Sequence, residues 1–134
     1  MSEFNFTTII PSPPDKLIAI ALDVEKYPQF FQYLKEIKIL EKTEKSIHTL
    51  EKFSLNISKF THLFEQETMT TQINSNQLEA KILSGPLKGT IVKTIYEKHD
   101  ESFSKINVFF NLHVSLKYRF LLPIITKRIK MATI

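Results

Sequence analysis

The side chains able to do chemistry are few, and their spacing assembles no familiar catalytic set. Four histidines are present, His48, His62, His99 and His113. None stands at a ligand spacing from another histidine or a carboxylate, such as the HExxH pattern that sets two imidazoles around zinc on one helix face. There is no cysteine, which excludes disulfides, thiolate metal sites and cysteine nucleophiles. The serines are scattered, with no strand-to-helix elbow to expose one as a nucleophile. Glu65 and Glu67 lie two apart in a strand-like run, so they share a face. Such a pair either brings two carboxylates into a pocket for acid/base work or marks a solvated sheet face, which is the more common use. The only glycines, Gly85 and Gly89, fall in Ser84-Gly85-Pro86-Leu87-Lys88-Gly89. That segment is wrongly framed to cradle a phosphate and reads as a hairpin-like turn. No metal and no cofactor are expected.

What stands out instead is an aromatic inventory of eleven phenylalanines and four tyrosines without tryptophan. Phe30, Phe31 and Tyr33 cluster, while Phe53, Phe60, Phe64, Phe110 and Phe120 are spread over separate elements. By themselves they read first as an ordinary packed core, and as the lining of a pocket only once the fold supplies the concavity.

The elements that must position them follow from periodicity. Phe4 to Ile10, aromatic and β-branched, reads as a strand. Ser12-Pro13-Pro14-Asp15 then signals a helix start, with Ser12 as cap, proline in the first turn and Asp15 completing a capping-box-like pair. Leu17, Ile20, Ala21 and Val24 at helical spacing give that helix one buried stripe. Tyr27-Pro28 should interrupt it, because proline disfavours helix in the residue before it, and a second short helix is expected from Gln29 to about Leu34. The period then becomes two. Ile37 and Ile39 form one strand, and Ile47 to Ile57 a second, with Ile47, Phe53, Leu55 and Ile57 on one face. Phe60 to Ile73, Leu78 to Ser84, Thr90 to Lys98 and Phe103 to Val114 follow. In the last, Ile106, Val108, Phe110, Leu112 and Val114 alternate with Lys105, Asn107, Phe109, Asn111 and His113, the signature of a half-buried antiparallel strand. Leu116 to Ile134 loses the alternation, but Phe120, Ile124, Ile125 and Ile129 recur at helical spacing, with Pro123 in the first turn.

Strand, two helices, six strands and a long helix make an α+β domain, and 134 residues suit a single one, spanning 1–134. The first ten residues lack the basic and apolar regions of a signal peptide, and no apolar run reaches the roughly 18 residues of a membrane span. The expected location is the cytoplasm, with peripheral contact at a membrane as a further expectation. Charge is unevenly placed. Residues 1–101 carry twelve lysines against all fourteen acids, a net of −2, whereas residues 102–134 carry six cations and no acid. Of these, Lys117, Arg119, Lys127, Arg128 and Lys130 suit contact with an anionic surface, either phospholipid or RNA. Cations in the last turns of a helix are also favoured by its dipole. No DNA partner is expected.

Asp23-Val24-Glu25-Lys26-Tyr27-Pro28-Gln29-Phe30-Phe31 resembles the DVExYPxF segment of the coenzyme Q-binding proteins and the related ribosome-association toxins. These belong to the polyketide cyclase/dehydrase and lipid-transport group of START-like proteins. Gly85-Pro86-Leu87-Lys88 is similar to a turn of that family, with Leu87 where the family has an aromatic. The strand ending at Phe110-x-Leu112 followed by an amphipathic helix is also similar. The resemblance implies a helix-grip fold, a seven-stranded curved antiparallel sheet wrapped around a long C-terminal helix, with two short helices after the first strand. At about 1.5 Å per residue, Leu121 to Ile134 spans roughly 20 Å, enough to cover an acyl or isoprenoid tail. On that fold the residues expected to face the cavity are Phe30, Phe31, Leu55, Phe64, Ile82, Ile106, Val108, Phe110, Phe120, Ile124 and Ile125.

Three functions follow as expectations. The first is non-catalytic transport or chaperoning of a hydrophobic ligand such as a lipid, an isoprenoid quinone or a polyketide-like molecule. The second is docking on the ribosome through the basic segment. The third is a cyclase or dehydratase whose pocket orients a flexible substrate, with His62, Glu65, Tyr96 and His113 as acid/base candidates wherever they point inward.

Overall fold

The computed structural model describes residues 2–57 and 59–115. The C-terminal helix expected from the sequence lies outside them. So do Lys117, Arg119, Phe120, Ile124, Ile125, Lys127, Arg128 and Lys130.

The chain runs β1 (Ser2–Ile10), α1 (Pro14–Leu22), a 3-10 turn (Val24–Lys26), α2 (Tyr27–Phe30), β2 (Leu34–Lys42), β3 (Ser46–Ile57), β4 (Phe60–Asn74), β5 (Gln77–Ile82), β6 (Ile91–Lys98) and β7 (Ser104–Leu112). All seven strands join one antiparallel sheet in the order β1-β7-β6-β5-β4-β3-β2. Strands β2 to β7 form a meander of successive hairpins. The first strand crosses over through α1 and α2 and pairs with the last. This is the expected element order, from the first strand to the seventh.

Alternation decides which face is buried. On β7, Ser104, Ile106, Val108 and Leu112 are buried while Lys105 and Phe109 are exposed. Register carries that face across the sheet. Tyr96 stands opposite Ile106 and Thr94 opposite Val108, Ala80 opposite Val92, Thr68 opposite Ile82, and Thr49 and Glu51 opposite Thr68 and Gln66. Helix α1 packs on this inner face. Ile18, buried, joins Leu78, Tyr96, Ile106 and Val108 in the core cluster, with Leu17, Ala21 and Leu22 against it. Each aliphatic side chain removed from water in this way contributes roughly 1.5–3 kcal/mol.

The entry to α1 differs from the expected capping box. Pro13 is the N-cap, in extended backbone, and no side chain caps the helix. A Ser12 cap would need Pro13 in helical backbone, and Pro14 after it holds Pro13 extended at ψ 153°, so the helix starts one residue later. The Ser12 carbonyl is used instead, accepting the Ser104 hydroxyl at 2.6 Å. Ser104 is fully buried, so this bond ties the β1–α1 corner to the start of β7 and is worth about 1 kcal/mol.

The buried stripe of α1 is also displaced. Ile20 is 52% exposed, because it lies about 200° round the helix from Ile18; Leu17, Ile18 and Ala21 form the inner face. Tyr27 is helical (φ −55°, ψ −39°), whereas Asp23 leaves the helical region (φ −85°, ψ 64°). The break therefore falls at Asp23 and not at Tyr27-Pro28. Pro28 sits in the first turn of α2, where its missing N–H costs nothing, and α2 ends at Phe30 with Leu34 already in β2.

Ser84 to Gly89 is the hairpin-like turn expected, closed by Gly89 N–H to the Ile82 carbonyl and Ile82 N–H to the Thr90 carbonyl, both at 2.9 Å. Gly85 has φ +87°, and a Cβ there would stand 2.5 Å from the Glu65 carbonyl oxygen, so only glycine fits.

Candidate functional site

Between the inner face of the sheet and the α1–α2 segment lies a cavity of about 280 Å³. Its two walls differ in chemistry. Strands β3 and β4 contribute Thr49, Glu51, Gln66, Thr68 and Thr70. Strands β5 and β6 contribute Leu78, Ala80, Ile82, Val92, Thr94 and Tyr96. Ile37 of β2 and Ala21, Val24 and Tyr27 close the remaining sides. The alternation that buries Ile47 on β3 also sends Thr49 and Glu51 inward, and the β3–β4 register places Gln66 and Thr68 beside them.

Glu51 dominates the electrostatics. It is 8% exposed, and its Oε2 is shut off from solvent with no hydrogen-bond partner among the described residues. Burial raises its pKa from 4.5 to about 7, against the opposing hydrogen bonding of Thr68, Thr49 and Gln66. Near neutral pH this carboxyl is therefore divided between its two states, able to accept from a partner or donate to one. Thr49 Oγ1 donates to the Thr68 carbonyl at 3.4 Å, and Gln66 Nε2 donates to Thr68 Oγ1 at 3.4 Å. Tyr27 donates its hydroxyl to the Ala21 carbonyl. Burial pushes the Tyr27 pKa up to about 12, with Tyr96, Glu51 and Asp23 adding to the rise. Burial also raises that of Tyr96. A desolvated titratable group in a cavity is a functional-site candidate on physical grounds.

Of the residues expected to line a cavity, Ile82 stands in this wall. Ile106 and Val108 are buried on the same sheet face, and Leu55 and Phe64 share its parity, half-buried. Phe110 stacks on Phe4 and Phe6, with ring centres 4.9 and 5.8 Å apart. Phe31 packs edge-on to Tyr27 at 6.0 Å and against Tyr33 at 5.7 Å. Phe30 is 67% exposed on α2, outside the cavity wall, because a helix of four residues turns only one side inward.

Of the acid/base candidates, Tyr96 alone lines the cavity. His62 lies on the inner face by parity, stacked on Phe64 at 6.1 Å. Glu65 and Glu67 do share a face, and it is the outer one. Glu65 meets Lys52 at 3.9 Å and Glu67 meets His48 at 3.1 Å. His113 lies past the end of β7 beside Gly89, and its backbone is held by Thr90 Oγ1. Sequence reasoning missed Glu51, Tyr27 and the threonines. Glu51 was within reach, since it has the parity of Ile47, Phe53 and Leu55. Among the described residues no three metal-ligating side chains cluster, and no helix is long and apolar enough to cross a membrane.

No protein-family model and no curated protein sequence matches this chain. Solved structures do. A Thermus thermophilus protein superimposes with a TM-score of 0.75 at 9% identity, covering 94% of this chain and 85% of its own. The Zhui aromatase/cyclase from a Streptomyces species gives 0.70 at 11% identity, covering 84% and 68%. A START superfamily protein from Mycobacterium smegmatis gives 0.70 at 15%, covering 85% and 78%. These likenesses show a START-like fold, in agreement with the resemblance carried by Asp23 to Phe31.

Proposed function

From a START-like fold with a half-polar cavity, we propose that this chain binds a hydrophobic small molecule between its sheet and its helices, as a carrier or chaperone without chemistry of its own. The cavity itself supports this reading: about 280 Å³, close to the lower end of the ~300–1,000 Å³ typical of ligand pockets, with an apolar wall of Leu78, Ala80, Ile82 and Val92. The coenzyme Q-like segment makes an isoprenoid quinone, or another lipid, the leading ligand. A volume this size suits a ring head better than a whole tail. Native mass spectrometry of protein purified from its own host should find a bound hydrophobe, and Ala80→Trp, which fills the cavity, should weaken its rebinding at least tenfold. A cavity that is repeatedly empty and takes up neither quinone nor fatty acid counts against the proposal.

A cyclase-type enzyme is the second reading, supported by Glu51 and Tyr96 lining one cavity from its two walls and by the aromatase/cyclase among the structural neighbours. Contact with an anionic membrane or with the ribosome is a separate proposal resting on the six cations of residues 102–134, and the cytoplasm is the matching location. Sedimentation with phosphatidylglycerol vesicles or with ribosomes should then fall steeply with salt, since each cation near an anionic surface contributes about 1 kcal/mol. Binding that ignores salt rules it out.

A further inference from the structure

The polar wall of the cavity is costly unless something uses it. An alternating strand could hold an apolar residue at position 51, as it holds Ile47 and Phe53 at positions of the same parity. Instead the chain buries a carboxyl, leaves Oε2 without a partner among the described residues, and surrounds it with Thr49, Gln66 and Thr68. A buried acceptor left unpaired is a recurrent expense of about 1–3 kcal/mol, and ordinary core packing gives no reason for it. Among the described residues no lysine, arginine or histidine lines the cavity to serve as a counter-ion.

We propose that Glu51, with Thr49, Gln66 and Thr68, is a polar anchor for a ligand hydroxyl or phenol, so that the ligand class is a compact hydrophobe carrying such a group. This rests on the ligand-binding reading above. A pure hydrocarbon leaves Oε2 unpaired. A carboxylate ligand meets like charge with no cation beside it among the described residues. A hydroxyl both donates and accepts, so it satisfies Glu51 whether the carboxyl is ionised or neutral, and it also suits the mixed donors and acceptors of the two threonines and the glutamine. Across the cavity, Leu78, Ile82 and Val92 receive the apolar body.

Probes of one skeleton test this: naphthalene, 2-naphthol and the cationic 2-naphthylmethylamine, titrated by calorimetry or intrinsic probe fluorescence against the wild-type chain and Glu51→Leu. Circular dichroism establishes that the variant is folded. Wild type should prefer 2-naphthol to naphthalene by about tenfold, and Glu51→Leu should reduce that ratio to within twofold. Equal affinities in wild type overturn the anchor while leaving the ligand-binding reading intact, as does a preference that survives Glu51→Leu. An amine bound tighter than 2-naphthol by tenfold overturns it in favour of a cationic ligand. Failure of wild type to bind any of the three overturns the anchor, and failure with quinone and fatty acid as well overturns the ligand-binding reading beneath it.

Discussion

Glu51→Gln should stabilise the fold by about 3 kcal/mol above pH 7 and leave it nearly unchanged at pH 4.5. The sign follows from proton linkage. The carboxyl titrates near 4.5 when exposed and at about 7 in the fold, so between those values the folded chain holds a proton that the unfolded chain has released. Stability of the wild type therefore falls as pH rises through that window and levels off above it. At about 1.4 kcal/mol for each unit, the full penalty is on the order of 3 kcal/mol. Glutamine keeps the shape and removes the charge. Tyr27 and Tyr96, both raised by burial, titrate above the window and leave it clean. Urea unfolding from pH 4.5 to 8.5 checks the expectation: the two curves should diverge as pH rises, and parallel curves would contradict it.

Leu112→Ala should cost a similar amount, about 3 kcal/mol, for a different reason. Leu112 is 1% exposed and ends β7, opposite Ser2 of β1. Truncating so enclosed a leucine removes its transfer energy and leaves a void the surrounding strands cannot close, with measured costs for such changes of roughly 2–5 kcal/mol. Against a total of about 5–15 kcal/mol for a domain, that is a large fraction. Phe109→Ala, three residues back on the outer face and exposed, is the control and should cost under about 1 kcal/mol. A Leu112→Ala midpoint indistinguishable from that control would refute the argument.

How much of this was legible depended on whether the informative residue was apolar. The strands of the meander could be read nearly to their ends, because Ile106, Val108 and Leu112 announce their face by period. Glu51 has the same parity as Phe53, yet counting apolar positions discards a carboxylate, and the group that defines the cavity vanished from view. Glu65 and Glu67 drew notice by their spacing and turned out to face solvent, since parity tells which residues share a face but not which face is covered. The helix boundaries failed for a local reason. The expected boundaries at Ser12 and Pro28 rest on single-residue preferences, and their neighbours set the outcome: Pro14 holds Pro13 in extended backbone, and the turn is already broken at Asp23.

The pairing of β1 with β7 has a consequence for how the chain is made. Ser2 meets Leu112 and Ile10 meets Ser104, contacts about a hundred residues apart in sequence. At translation rates of ~5–20 residues per second, the first strand emerges some 5–20 seconds before its partner exists. Until then its hydrogen-bonding groups, and the aromatic face of Phe4 and Phe6, have nothing of their own chain to pair with. The meander β2 to β7 can form from local hairpins during that interval, whereas capture of β1 must wait and closes the longest strand-pairing loop among the described residues. The slow, aggregation-exposed step of maturation should therefore be the return of the N-terminus, and nascent-chain factors that shield an amphipathic strand would act there.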